Sequence, residues 1–110
     1  MKVYGFKCND KVIVDIDGEN VTLTLDAKTR KFISISKYEK PDVNICEEVV
    51  IDLSEVYSVK LFPRVYYSIY KVVYNDIVSY VLERYDGTEA SSSYMVCDKY
   101  SQCKSAIEEM

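Results

Sequence analysis

Between Val49 and Tyr85 the chain reads VVIDLSEVYSVKLFPRVYYSIYKVVYNDIVSYVLERY, a run rich in Val, Ile and Tyr that holds seven of the eleven tyrosines. β-Branched and aromatic side chains suit a pleated, half-buried surface and are poor helix formers. Two periods still compete over Val65 to Tyr85. As a helix, Ser68, Lys71, Asn75, Ser79, Glu83 and Asp86 recur every three or four residues and draw one polar stripe. As strands, YKVVY and IVSYVLERY flank Asn75-Asp76, a pair suited to a tight turn. The strand pair is the expectation; the alternative is one long helix at 64–85 packed against a small antiparallel sheet.

The flanking segments point the same way. In KVIVDID, Val12, Val14 and Ile16 share one face and Asp15 and Asp17 the other, with a turn at Gly18 to Asn20. VTLTLD repeats the alternation, AKTR forms a loop and KFISIS returns as the partner strand of a hairpin. Residues 37–48, with Pro41 and no sustained period, read as an edge loop. In VVIDLSEVYSVKLF the alternation bends at LSEV, resumes at Val59 and Leu61, and ends at Pro63. Asp86-Gly87 predicts a hairpin from IVSYVLERY into TEASSSYMVC. A last helix, capped by Asp98 or Ser101, would align Tyr100, Cys103, Ile107 and Met110 on the sheet.

At 110 residues and 48% hydrophobic content the chain supports one core, hence a single compact domain over 1–110. Eighteen acidic against fourteen basic residues, net −4, leave no electrostatic footprint for nucleic acid or anionic lipid. No run is long and apolar enough to span a bilayer or serve as a signal peptide, so a soluble, cytoplasmic protein is expected. With no His, Ser-His and Cys-His nucleophilic chemistry is excluded. Cys8, Cys46, Cys97 and Cys103 form no CxxC pair; no metal or cofactor is expected. Two disulfides in any of three connectivities are permitted, and four thiols, some buried, is the expectation.

The order of six or seven antiparallel strands and one C-terminal helix, carried by VVIDLSEVYSVKLF, VLERYDGTE and YMVCDKYSQCKSAIEEM, resembles the pleckstrin-homology-like barrel. The fold class expected is therefore α+β, mostly antiparallel β, as such a barrel or a sandwich. The resemblance implies two roughly orthogonal sheets closed at one corner by the helix. It also implies a phosphate contact at Lys28, Arg30 and Lys31, which match the basic first loop of lipid-binding members, although the family's helix Trp has no counterpart here. VIVDIDGEN is similar to the nucleophile motif of haloacid-dehalogenase-type phosphatases, which would make Asp15 the nucleophile and Asp17 the acid. Glu19 stands where that family has Thr, and 110 residues are too few for its doubly wound sheet.

Tyrosine also serves surfaces that are apolar on one side and wet on the other, which makes it common in interfaces. The expected function is a small non-catalytic interaction module that binds a protein partner or a second copy through a sheet edge or a face bearing Tyr66, Tyr67, Tyr70, Tyr74 and Tyr80. The alternative is an acidic inhibitor, of viral or mobile-element type, that occludes a basic surface of a nucleic-acid-handling protein with Glu47, Glu48, Asp52 and Glu55.

Overall fold

The chain forms β1 (Lys2–Cys8), β2 (Lys11–Ile16), β3 (Glu19–Leu25), β4 (Phe32–Lys37), β5 (Glu47–Phe62), β6 (Val65–Tyr74), β7 (Ile77–Tyr85), β8 (Ser93–Cys97) and α1 (Tyr100–Glu108) in a computed structural model. It describes residues 1–37, 39–87 and 93–109, with the backbone alone at Ser93 and Tyr94. Every strand pairing is antiparallel and the order across the sheet is β4-β3-β2-β1-β5-β6-β7-β8. The sheet curls into a nearly closed barrel in which β4 and β8 approach each other. The fold is mostly antiparallel β with one C-terminal helix, as expected, but with eight strands where six or seven were anticipated.

The added strand is β1. It pairs with β2 through Gly5↔Val14 and with β5 through Val3↔Ile51 and Gly5↔Val49, so Val3, Gly5 and Lys7 share its inner face. Gly5 is buried because the neighbouring strands β2 and β5 close over it. A Cβ there would stand 2.6 Å from Ile51 Cδ1 and 2.8 Å from the Ile13 carbonyl oxygen.

Turn chemistry fixes the hairpins. Asn75 and Asp76 both take positive φ, 46° and 64°, as a two-residue turn between right-twisted strands requires. Val65 to Tyr85 is therefore the strand pair β6–β7, and the long helix at 64–85 is absent. Asp17 (φ 52°) and Gly18 (φ 84°) make the corresponding turn between β2 and β3, earlier than the expected Gly18 to Asn20 because Glu19 and Asn20 already pair with Ile16 and Asp15, and the Gly18 amide donates to Asp15 Oδ1 at 2.8 Å. The hairpin expected at Asp86-Gly87 pairs Arg84 with Ser93, but its connection at 88–92 lies outside the described residues.

Two apolar layers result. The barrel interior is filled by Val12, Val14 and Ile16 from β2, Val21 and Leu23 from β3, Ile51 and Leu53 from β5, and Tyr70, Val72 and Tyr74 from β6. A second layer lies outside the barrel, where Tyr67, Ile69, Leu82 and Cys97 meet Cys103 and Ile107 of α1. β5 serves both layers because Val56 is a bulge: Glu55 pairs with Tyr70 and Tyr57 with Ile69, so Val56 has no partner on β6. Since side chains alternate along a strand, one extra residue turns the odd positions from the barrel side at Ile51 and Leu53 to the helix side at Tyr57 and Val59. The bend expected at LSEV is this bulge.

α1 begins after Lys99 and not at Asp98 or Ser101. The Gln102 side-chain oxygen accepts from the backbone amides of Asp98 and Lys99, both at 3.1 Å, satisfying donors that a helix start leaves unpaired. Cys103 and Ile107 are buried as expected and Tyr100 packs beside them, while Met110 lies outside the described residues.

Candidate functional site

The barrel is not sealed. β4 bonds only to β3 and β8 only to β7, and among the described residues no backbone hydrogen bond joins β4 to β8. Both strands thus present edge N–H and C=O groups toward a seam. Lys31 Nζ reaches Asp98 Oδ2 across it at 3.2 Å. Both side chains are exposed, so this ion pair contributes under about 1 kcal/mol. Beside it lies a groove of about 780 Å³ whose walls include Phe32 and Ile33 of β4, Met95 of β8, and Ser101 and Glu109 of the helical end.

A bulge aims one apolar side chain into this groove. Thr24 pairs with Ser34 and Leu25 with Phe32, which leaves Ile33 as the extra residue. Phe32 turns into the core while Ile33 stays 60% exposed at the edge. The sequence carried a trace of this: in KFISIS, Phe32 is out of phase with Ile33 and Ile35. Without a register for β4, that phase change alone does not distinguish Ile33, and Met95 has no local signal of its own.

The tyrosines expected on one partner-binding face divide among three places. Tyr70 and Tyr74, at 6% and 5% exposure, fill the barrel core; Tyr67, at 3%, lies under α1, where its hydroxyl accepts from Arg84 Nε at 3.2 Å. Tyr80 is half-buried with its ring 5.9 Å from that of Tyr100. Only Tyr66 of the five is exposed, with Lys60 Nζ 5.5 Å from its ring centre. The sheet face expected from the sequence does not form, because the barrel interior covers one side of β6 and α1 covers the other. Tyr66 stands instead near the β5–β6 hairpin tip with exposed Leu61 and Phe62.

At the barrel mouth the Tyr70 hydroxyl donates to Asp17 Oδ2. Burial foremost, then this hydrogen bond and the charges of Glu83, Asp17 and Glu55, push the Tyr70 hydroxyl well above the usual tyrosine range. It stays a neutral donor. Asp15 receives the Gly18 amide and Asp17 receives Tyr70, so both carboxylates of the DIDG segment hold turn and core in place.

The four acidic residues proposed as a patch are spread along β5. Glu47 and Glu55 lie eight residues apart, roughly 26 Å at strand rise, and Asp52 receives the amino group of Met1 at 3.4 Å. Glu48 and Asp52 share the sheet face opposite to that of Glu47. The basic loop is similarly engaged: Lys31 is held by Asp98, and Lys28 and Arg30 flank a turn whose amides bond to Asp26. Arg30 instead borders a small cavity of about 290 Å³ with Lys7 and Asp10.

Two of the cysteines depart from the four-thiol expectation. Lys7 pairs with Glu47, so Cys8 and Cys46 fall opposite each other just beyond the β1–β5 ladder, and they form a disulfide. Cys97 and Cys103 are free, buried thiols; burial and the adjoining Cys97 push the Cys103 thiol above the usual range. Among the described residues no three His, Cys, Asp or Glu side chains are grouped as metal ligands would be, and no helix is long and apolar enough to cross a membrane.

Comparison with known proteins finds no matching family model, no matching curated protein and no matching solved structure.

Proposed function

We propose that the protein is a small non-catalytic interaction module that holds an extended segment of a partner polypeptide in the groove between β4, β8 and α1. The observation that carries this reading is Ile33, turned outward by a bulge on an edge strand that borders the groove. A peptide backbone complements an unpaired strand edge, and pockets beside the edge select its side chains. Edges are usually covered, charged or closed away. Here the β4 edge carries Ile33, and β8 approaches it with no hydrogen-bonded ladder among the described residues and with the Lys31–Asp98 ion pair at the entrance.

The barrel with its C-terminal helix is in keeping with the pleckstrin-homology-like resemblance, which we retain as a likeness of element order alone. No single patch supports the acidic-inhibitor alternative. A Cys8–Cys46 disulfide persists where the surroundings are oxidising, so a cytoplasmic chain would carry these two residues as thiols.

The test is affinity capture with three baits: the wild type, Ile33→Glu, and Tyr66→Ala at the distant hairpin tip. A directly binding partner retained by the wild type and Tyr66→Ala but lost with Ile33→Glu supports the groove. Loss with Tyr66→Ala alone moves the interface to the tip and rejects this reading.

A further inference from the structure

The charge around the groove specifies what the bound segment must carry. Among the described residues its acidic members are Asp26, Asp98 and Glu109, and its one cation is Lys31, which is already paired with Asp98. Among the described residues neither Asp26 nor Glu109 takes part in an ion pair. The second observation concerns α1 itself. The groove runs the length of α1, from Ser101 and Gln102 in the first turn to Ser105, Ala106 and Glu109 at the C-terminal end, and the last turn has no basic residue. Helix C-termini expose unpaired carbonyls and the negative end of the dipole, and are ordinarily matched by Lys or Arg. Here Glu108 and Glu109 add negative charge to that end.

Resting on the strand-addition reading of the groove, we infer that the occupant is a basic, apolar extended peptide. Its Lys or Arg side chain faces Glu109 and the carbonyl end of α1, while its apolar side chains lie on Ile33 and Met95. A cation placed there offsets the charge of Glu109, whereas Asp98 is paired with Lys31 and Asp26 accepts from the Lys28 amide. An acidic segment would add to that charge.

The experiment titrates the isotope-labelled full chain with capped peptides that alternate valine with lysine, with glutamine or with glutamate, each long enough to span β4. Amide shifts are followed by NMR at low and high salt. The lysine peptide is expected to shift the amides of β4, Met95 to Cys97 and Ser105 to Glu109, and to bind about tenfold tighter than the glutamate peptide. That preference should shrink in high salt and in Glu109→Gln, with the glutamine peptide's affinity unchanged. Equal binding of all three at the groove overturns the charge inference and leaves strand addition standing. Shifts confined to other surfaces, or no shifts with any peptide, overturn both.

Discussion

The Tyr70 hydroxyl, at the end of a side chain buried in the barrel core, donates to the carboxylate of Asp17, 53 residues earlier in the chain. Asp17 sits in the β2–β3 turn with a positive φ of 52°, so this bond ties a tight turn of the N-terminal half to the central strand of the C-terminal half.

Tyr70→Phe keeps the ring and removes the donor. It is expected to cost about 1–2 kcal/mol at neutral pH, read from urea unfolding. The alkaline behaviour adds a second signature. The hydroxyl titrates higher in the folded protein than its ordinary value of 10.0, so the stabilisation linked to its proton is whole below pH 10 and declines as pH climbs above it. The phenylalanine variant should therefore lose less stability than the wild type between neutral pH and pH values above 10; an equal or steeper loss would refute the linkage.

Gly5→Ala places a methyl group against the Ile13 carbonyl, which is backbone and has little room to yield. A loss of about 2–3 kcal/mol is expected. Gly18→Ala is the comparison, since nothing beyond its own chain neighbours lies within 4 Å of a Cβ added there and only the positive φ is strained; about 1 kcal/mol is expected there. Thermal unfolding of both variants would expose an error if their order were reversed.

Deleting Val56 removes this bulge and returns β5 to simple alternation as far as Lys60, beyond which a second register shift lies. Tyr57 and Val59 would then turn toward the barrel side and leave α1 without that part of its bed. A loss above about 4 kcal/mol is expected, as for other large core defects, with weaker helical circular dichroism and dye binding to exposed apolar surface. Native spectra in the deletion variant would contradict the two-sided assignment of β5.

Reduction of Cys8–Cys46, or its replacement by a pair of serines, opens a cross-link with a sequence separation of 38. The expected cost is about 2–4 kcal/mol, seen as a shift of the urea midpoint with dithiothreitol. The serine pair should show no such shift, because Cys97 and Cys103 are already thiols.

Legibility in the sequence followed the range of the interactions. Asn75-Asp76 and Asp17-Gly18 state their turns locally, so the β6–β7 and β2–β3 hairpins could be read from composition and period. β1 could not, because its inner positions Val3, Gly5 and Lys7 lack apolar alternation, and the glycine fits only once β2 and β5 have closed around it. The tyrosines misled for a related reason. Period two separates the faces of β6, but nothing local says that both faces are covered, one by the barrel and one by a helix some thirty residues further on. The seam depends on the phase of β4 against β3 and on where α1 lands, and both are set by tertiary pairing.

The strand order divides into two four-stranded meanders, β1 to β4 and β5 to β8, laid side by side in one sheet and hydrogen-bonded to each other through the β1–β5 ladder. Within each meander, neighbouring strands are consecutive in the chain and pair after short loop closures. The ladder brings Lys2 to Asp52 and Lys7 to Glu47, so its entropic cost is the larger one. Docking of the two meanders is thus the slow event expected in folding, with Cys8–Cys46 as its covalent fastening. In a reduced chain at high concentration the same ladder offers the place where two molecules would exchange halves.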